Sequence, residues 1–337
     1  MTQEEGSAEK SNIFEQGEYL NPKYQSLDKY VNIMYKGFWT PAKYEKLIKE
    51  QDVPYYFNIL GEADQETIKR CILAVALVED KVKVYWPSLH ADLPQTVIGD
   101  IGGLFGMSET THRRSYHSLL ENLKIDPKEI YDYAATKGRI EYLTKYLETD
   151  PKIIGKKRIL KKLVLFTTLV ERVSLFTQFY ILMSYSRANK GLKTISSLQQ
   201  STATEEIIHY TCGIELINII KDELPQLWDD YLVELVEKNI KASYRAEKKL
   251  IGWFFEKGVP DHLTEEEVLN FLNYNMSVIS KDLGLDINFK YDKDMYEEKN
   301  KWMMEKISTG GEPDFFDTPA GGYSSLEEDI NVEDFEF

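Results

Sequence analysis

Cysteine is nearly absent. Cys71 and Cys212 are the only two in 337 residues, and neither belongs to a C-x-x-C. That excludes a disulfide framework and a zinc ribbon and points to a reducing cytoplasm. Positive charge is short too: 41 Lys and Arg stand against 56 Asp and Glu, a net charge of −15. So acidic a chain lacks the electrostatic footprint for gripping a nucleic-acid backbone, and no nucleic-acid partner is expected. Two local basic stretches, KGRIEYLTKY (137–146) and GKKRILKK (155–162), read as solvated helix faces. The N-terminal MTQEEGSAEKSN is too polar and acidic for a signal peptide. A single apolar run, LVLFTTLVERVSLFTQFYILMSY (163–185), has the length of a membrane span, but Glu171 and Arg172 sit near its middle. It reads as the central helix of a bundle, apolar nearly all round, and no membrane is expected.

Strand signals are missing as well. Helix-period segments dominate, over 40–50, 64–86, 95–123, 127–148, 152–188, 194–221, 225–257, 264–282 and 293–307, with turn signals between them. Only INFKYD (287–292) invites a strand, and it reads equally as a loop. Several helices exceed 20 residues and no internal repeat is visible, so the expectation is an all-α long-helix bundle in one domain.

Two stripes of polar residues run along these helices. In SETTHRRSY (108–116), Glu109, His112 and Tyr116 fall at i, i+3 and i+7, on one helix face flanked by apolar residues. In STATEEIIHYTCG (201–213), Glu206 and His209 repeat the Glu-x-x-His spacing. Two further acids sit alone in strongly apolar helices. Glu171 lies in FTTLVERVSLF, and Glu79 in CILAVALVEDKVKVYW, where its neighbour Asp80 is the rival. Buried carboxylates are costly unless paired or bound. One Glu from each of two helices plus a Glu-x-x-His from each of two others is the general pattern of a carboxylate-bridged dimetal site. Four carboxylates balance two divalent cations and two neutral imidazoles complete the set. Without metal, the acids would repel one another and take up protons. Oxygen-rich ligands with two nitrogens suit iron or manganese and oppose a thiolate zinc or copper site.

Glu79, then Glu109-x-x-His112-x-x-x-Tyr116, then Glu171, then Glu206-x-x-His209 resembles the small, radical-generating subunit of class I ribonucleotide reductase, from about residue 30 to the C-terminus. The resemblance implies a ferritin-like helical bundle, usually a homodimer, with a dinuclear metal site between four core helices. It implies an N-terminal arm over 1–30, the metal-binding domain over 31–307 and a flexible acidic tail over 308–337. Tyr116 falls where many members hold a tyrosyl radical. Trp39, in KGFWTPAKYEKL, matches the tryptophan that links the metals towards the surface, and otherwise reads as an aromatic anchor at a helix start. Tyr323 matches the tail tyrosine that relays the radical to the large (alpha) subunit, which reduces ribonucleotides. This chain has no Gly-rich phosphate loop and no cysteine pair for that reduction. Two departures stand out. The first ligand is Glu79 where most members have Asp. Glu205 stands where an Asp usually precedes the second Glu-x-x-His, and its longer side chain is expected to reach His112. A Glu first ligand resembles the subclass that stores its oxidising equivalent on a Mn(III)/Mn(IV) pair. Manganese is therefore the favoured cofactor, with diiron or mixed Mn/Fe as alternatives. The competing function is a dimetal oxidase or hydroxylase of a lipid or small molecule on the same scaffold.

The last thirty residues differ from the rest. Nine acids, no Lys or Arg, two prolines and four glycines preclude a stable helix, and Ile330, Val332, Phe335 and Phe337 punctuate the acidic end. Such a segment is disordered when free. It reads either as a solvated tail or as one that orders on a partner.

Overall fold

Each long helix-period segment of the sequence contains at least one helix, and most are interrupted where the packing demands it. The computed structural model describes residues 12–18, 23–82 and 84–309. These form α1 (Asp28–Gly37), α2 (Ala42–Leu47), α3 (Val53–Asn58), α4 (Glu62–Val82), α5 (Tyr85–Asp92), α6 (Thr96–Asn122), α7 (Lys137–Leu143), α8 (Gly155–Leu165), α9 (Phe176–Arg187), α10 (Lys193–Glu223), α11 (Asp230–Phe254), α12 (Glu265–Leu283), α13 (Lys293–Met295) and α14 (Lys301–Thr309). Ile48–Asp52, Phe166–Val173 and Tyr296–Asn300 are π-helical. Among the described residues there is no strand, and 287–292 is an irregular loop. The expected acidic tail, Tyr323 included, lies outside the described residues from 310 onward.

The core is a four-helix arrangement of α4, α6, the α8–α9 rod and α10. α4 packs on α6 and α9, and α10 packs on α6, α8, α9 and the π-helical Phe166–Val173. α12 packs on α9 and the π segment, α11 on the π segment, α4 and α8, α5 lies along α6, and α1 bridges α6 and α10. Every residue from 163 to 185 is buried, so the apolar run is the centre of the bundle. No helix of the described residues is long and apolar enough to cross a membrane.

Local chemistry sets the helix ends. Thr264 caps α12 by accepting from the Glu267 amide at 3.1 Å, and Asp229 caps α11 by accepting from Leu232 at 3.0 Å. α10 has no side-chain cap of its own, because Leu192 before it, left-handed at φ 54°, carries no acceptor. The buried Asp52 carboxylate, from the π-helical stretch before α3, accepts from the Ile195 amide at 2.6 Å instead. Burial raises the Asp52 pKa, and hydrogen bonds from the Ile195, Thr194 and Lys193 amides work against that rise.

Two of these interruptions involve buried charge or the centre of the bundle. The segment 127–148 becomes short 3-10 turns around α7, on which Arg139 turns inward rather than to solvent. Its guanidinium pairs with Glu247 and donates to the Ala74 carbonyl at 3.1 Å, and Tyr142 donates to the same carboxylate at 2.5 Å. All three side chains are buried, so the charge is paired from several sides. Likewise Lys161, in the second basic stretch, is buried and donates to the Glu148 carbonyl. The segment 152–188 divides at the π-helical Phe166–Val173 and a turn before α9.

Candidate metal centre

The four core helices bring six of the predicted side chains to one point. α4 supplies Glu79, α6 supplies Glu109 and His112, the π segment supplies Glu171, and α10 supplies Glu206 and His209. Asp80, the rival of Glu79, is exposed. Two sets of potential ligand atoms form, each within 4.8 Å: Glu79, Glu109, His112 and Glu206, and then Glu109, Glu171, Glu206 and His209. Glu109 and Glu206 belong to both. All six side chains are exposed by 1% or less.

The distances describe convergence on shared points rather than pairwise bonding. His112 Nδ1 lies 3.0 Å from Glu206 and 3.8 Å from Glu79; His209 Nδ1 lies 3.1 Å from Glu109, 3.3 Å from Glu206 and 3.6 Å from Glu171. Yet both Nδ1 atoms and both oxygens of Glu79, Glu109 and Glu206 lack an aligned hydrogen-bond partner. So many orphaned buried polar atoms aimed at one volume fit a pair of hard cations, and the donor set of four carboxylates and two imidazoles suits iron or manganese.

The outer partners fix each imidazole. His112 Nε2 meets Glu205 Oε2 at 2.5 Å, and His209 Nε2 meets Ser108 Oγ at 3.0 Å. The Ser108 hydroxyl itself donates to the Phe105 carbonyl, which leaves its oxygen to accept from His209. When neutral, both rings then keep hydrogen on Nε2 and point the Nδ1 lone pair inward, as metal-binding imidazoles do. Glu205 therefore reaches His112 as expected. Trp86 Nε1 donates to Glu171 Oε1 at 2.7 Å. That approach requires Gly102 on α6, where a Cβ would lie 2.5 Å from the Trp86 carbonyl oxygen. Gly213 serves α10 in the same way, because a Cβ there would meet Thr167 Oγ1 at 2.2 Å.

Free of cations, the cluster shares protons. Burial pushes the Glu79 carboxyl well above its usual range. Burial also raises Glu171, with the Glu206 charge adding to it, and Glu109 follows the same direction. Burial works against a charge on Glu206, but the nearness of Glu171 and of both imidazoles holds it low. His112 is raised well above the usual imidazole range: burial opposes its charge, while Glu79, Glu205 and Glu206 favour it. Cations entering would displace these protons.

The remaining predicted residues fall at different distances from this point. Trp39, in the linker between α1 and α2, stacks on the His112 ring (5.9 Å between centroids, 26° between planes) with its Nε1 buried and unpaired. Tyr116, one turn beyond His112, is fully buried and donates to Gln199 Oε1 at 2.7 Å. Tyr323 lies outside the described residues. Ser108, Trp86 and Gln199 escaped the sequence reading. Gln199 had a signal, since it precedes Glu206 by seven residues and so shares its helix face. Trp86 had none, because its role depends on how α5 meets α6.

The ribonucleotide reductase small chain family model matches residues 17–308. The ribonucleoside-diphosphate reductase subunit beta of Chlamydia pneumoniae is 24% identical over 237 residues, 64% of this chain and 64% of that protein, so the match spans just under two thirds of that relative. The ribonucleoside-diphosphate reductase 1 subunit beta of Salmonella typhimurium is 19% identical over 85% of this chain and 83% of its own. Among solved structures, the ribonucleotide reductase R2 subunit of Clostridium botulinum aligns with a TM-score of 0.71 at 14% identity, over 90% of this chain and 96% of its own. Streptococcus sanguinis dimanganese(II)-NrdF aligns with a TM-score of 0.65 at 18% identity, over 87% and 99%. At such identities the structural likeness carries the fold, a ferritin-like helical bundle. The family model covers most of the chain, including the helices that carry the six convergent side chains, and the chain belongs to the ribonucleotide reductase small chain family.

Proposed function

We propose that this chain is the small subunit of a ribonucleoside-diphosphate reductase. It generates and holds an oxidising equivalent at a dimetal site and passes it to a separate large subunit that reduces ribonucleotides to deoxyribonucleotides. The observation that carries the reading is the pair of overlapping ligand sets with Glu109 and Glu206 in common. Two carboxylates that serve both sets are suited to bridge two ions. Glu79 and His112 would hold one ion, Glu171 and His209 the other, and a bound iron or manganese pair would supply the one-electron oxidant.

The chain's own residues do the rest. Glu205 and Ser108 hold the imidazoles in the ligating tautomer, and Trp86 holds Glu171 in place. Phe105, 4.1 Å from the His209 ring, and Trp39 on His112 wall the site from water. Stacked on a ligand and leading out to the α1–α2 linker, Trp39 is the residue best placed to relay an electron towards the centre. Tyr323 would continue that route to the partner, and the tail would dock there. Manganese is the favoured metal because Glu79, a glutamate, is the first ligand. That the Streptococcus sanguinis neighbour is a dimanganese(II) protein supports the fold's capacity for two such ions. A homodimer, as is usual in the family, completes the reading, and the two free, buried cysteines suit a reducing cytoplasm. The lipid or small-molecule oxidase on this scaffold is disfavoured by the family match.

Elemental analysis tests the assignment. Glu206→Ala and His209→Ala should each keep the helices, by circular dichroism, while binding fewer than two ions and supporting no nucleotide reduction with the large subunit. Two tightly bound ions in either variant would sink it.

A further inference from the structure

The partners of the Tyr116 phenol are neutral. Its Oη donates to Gln199 Oε1, and Thr202, three residues along α10, lies beside it. Glu79 bears on the phenol through its charge and not through a hydrogen bond. The Gln199 Nε2 and Thr202 Oγ1 atoms are buried without aligned partners. An amide with one end unpaired in a core costs stability that an apolar residue of similar size would spare.

A phenol that loses an electron becomes a strong acid. Oxidising a buried tyrosine therefore requires its proton to leave with the electron, since a proton left behind would strand a positive charge in the interior. A carboxylate or an imidazole at Oη would take that proton. A primary amide takes none, whichever way its ends are turned. The carboxylates close by are those that converge on the cation pocket.

Resting on the function proposed above, we infer that Gln199 determines where the oxidising equivalent resides: by giving Tyr116 a neutral partner, it keeps the phenol reduced and leaves the equivalent on the metal pair. Gln199 is a positioning residue. It accepts a hydrogen bond from Tyr116, and its place seven residues before Glu206 turns it to the same face of α10.

The test uses full-length protein loaded with metal, exposed to an oxidant of the dioxygen or superoxide class, and read by EPR alongside metal analysis. Wild type should show a coupled-metal signal and no tyrosyl signal. In Gln199→Glu, one electron should pass from Tyr116 to the oxidised metal pair and the phenolic proton to the introduced carboxylate. A tyrosyl signal then appears as the metal signal falls by the same number of spins, and adding Tyr116→Phe removes it. Gln199→His repeats the test with a neutral base, so an effect of the added charge on metal loading does not decide the result. The inference is overturned by a tyrosyl signal in wild type, or by either variant reaching wild-type metal content and showing the metal signal alone. A wild type that takes up no metal pair overturns the reductase reading itself, a result read from the metal analysis without EPR.

Discussion

Glu79 shows what a single side chain does in this core with and without a cation. In the metal-free protein its carboxyl is raised well above the usual value of 4.5, first by burial and then by the charges of Glu109 and Glu206. The folded state thus keeps a proton that the unfolded state releases. The stability linked to Glu79 is complete below about pH 4.5 and is lost as pH rises through the raised folded value. Glu79→Gln cannot ionise. Thermal melts in chelator should therefore show the variant gaining on wild type as pH rises from about 4.5 to 8, and parallel curves would mean that Glu79 does not titrate in the core. With manganese or iron added the order should reverse, because wild type alone gains the full stabilisation of a bound pair.

Among the elements, the contact between α5 and α6 is the most exacting. Ala at Gly102 would place a Cβ against the Trp86 backbone oxygen, a group with little freedom to retreat. Gly102→Ala should destabilise the fold by about 1–3 kcal/mol in urea titrations. It should also weaken metal binding by shifting Trp86 from Glu171. An unchanged affinity would show that Trp86 does not hold that carboxylate. The helices and their ligand stripes were legible in the sequence because they rest on periodicity, which is local: Glu109, His112 and Tyr116 on α6, and Glu206 and His209 on α10, follow from 3.6 residues per turn. The interruptions were not. α7 is short, the Arg139 it carries pairs with Glu247, 108 residues away, and the π segment that carries Glu171 forms within a run as helical in pattern as its neighbours. Trp86 and Gln199 matter through what they face on other helices, and no spacing within one helix shows that. Glu79 over Asp80 is a question of which side of α4 meets the others, and in space Glu79 is buried and Asp80 exposed.

For the whole molecule, the proposed partner contact rests on a segment of nine acids and no bases that follows Lys306. Its Phe335 and Phe337 are suited to apolar pockets on a partner, with carboxylates at a basic rim. Removing residues 330–337 should abolish binding to the large subunit, measured by analytical ultracentrifugation. Tyr323→Phe should bind normally yet stop turnover, because phenylalanine is far harder to oxidise. Normal nucleotide reduction by Tyr323→Phe would rule out the tail as the radical exit. The depth of the centre carries a consequence of another kind. The six side chains proposed as ligands are exposed by 1% or less and come from four helices of the core, so release of an ion bound there would need the bundle to open locally. Exchange then follows the slow clock of local unfolding rather than the affinities of competing ions. Which metal pair the proposed site carries would then depend on the ions present when the bundle last closed over it, and a misloaded molecule would correct itself only slowly.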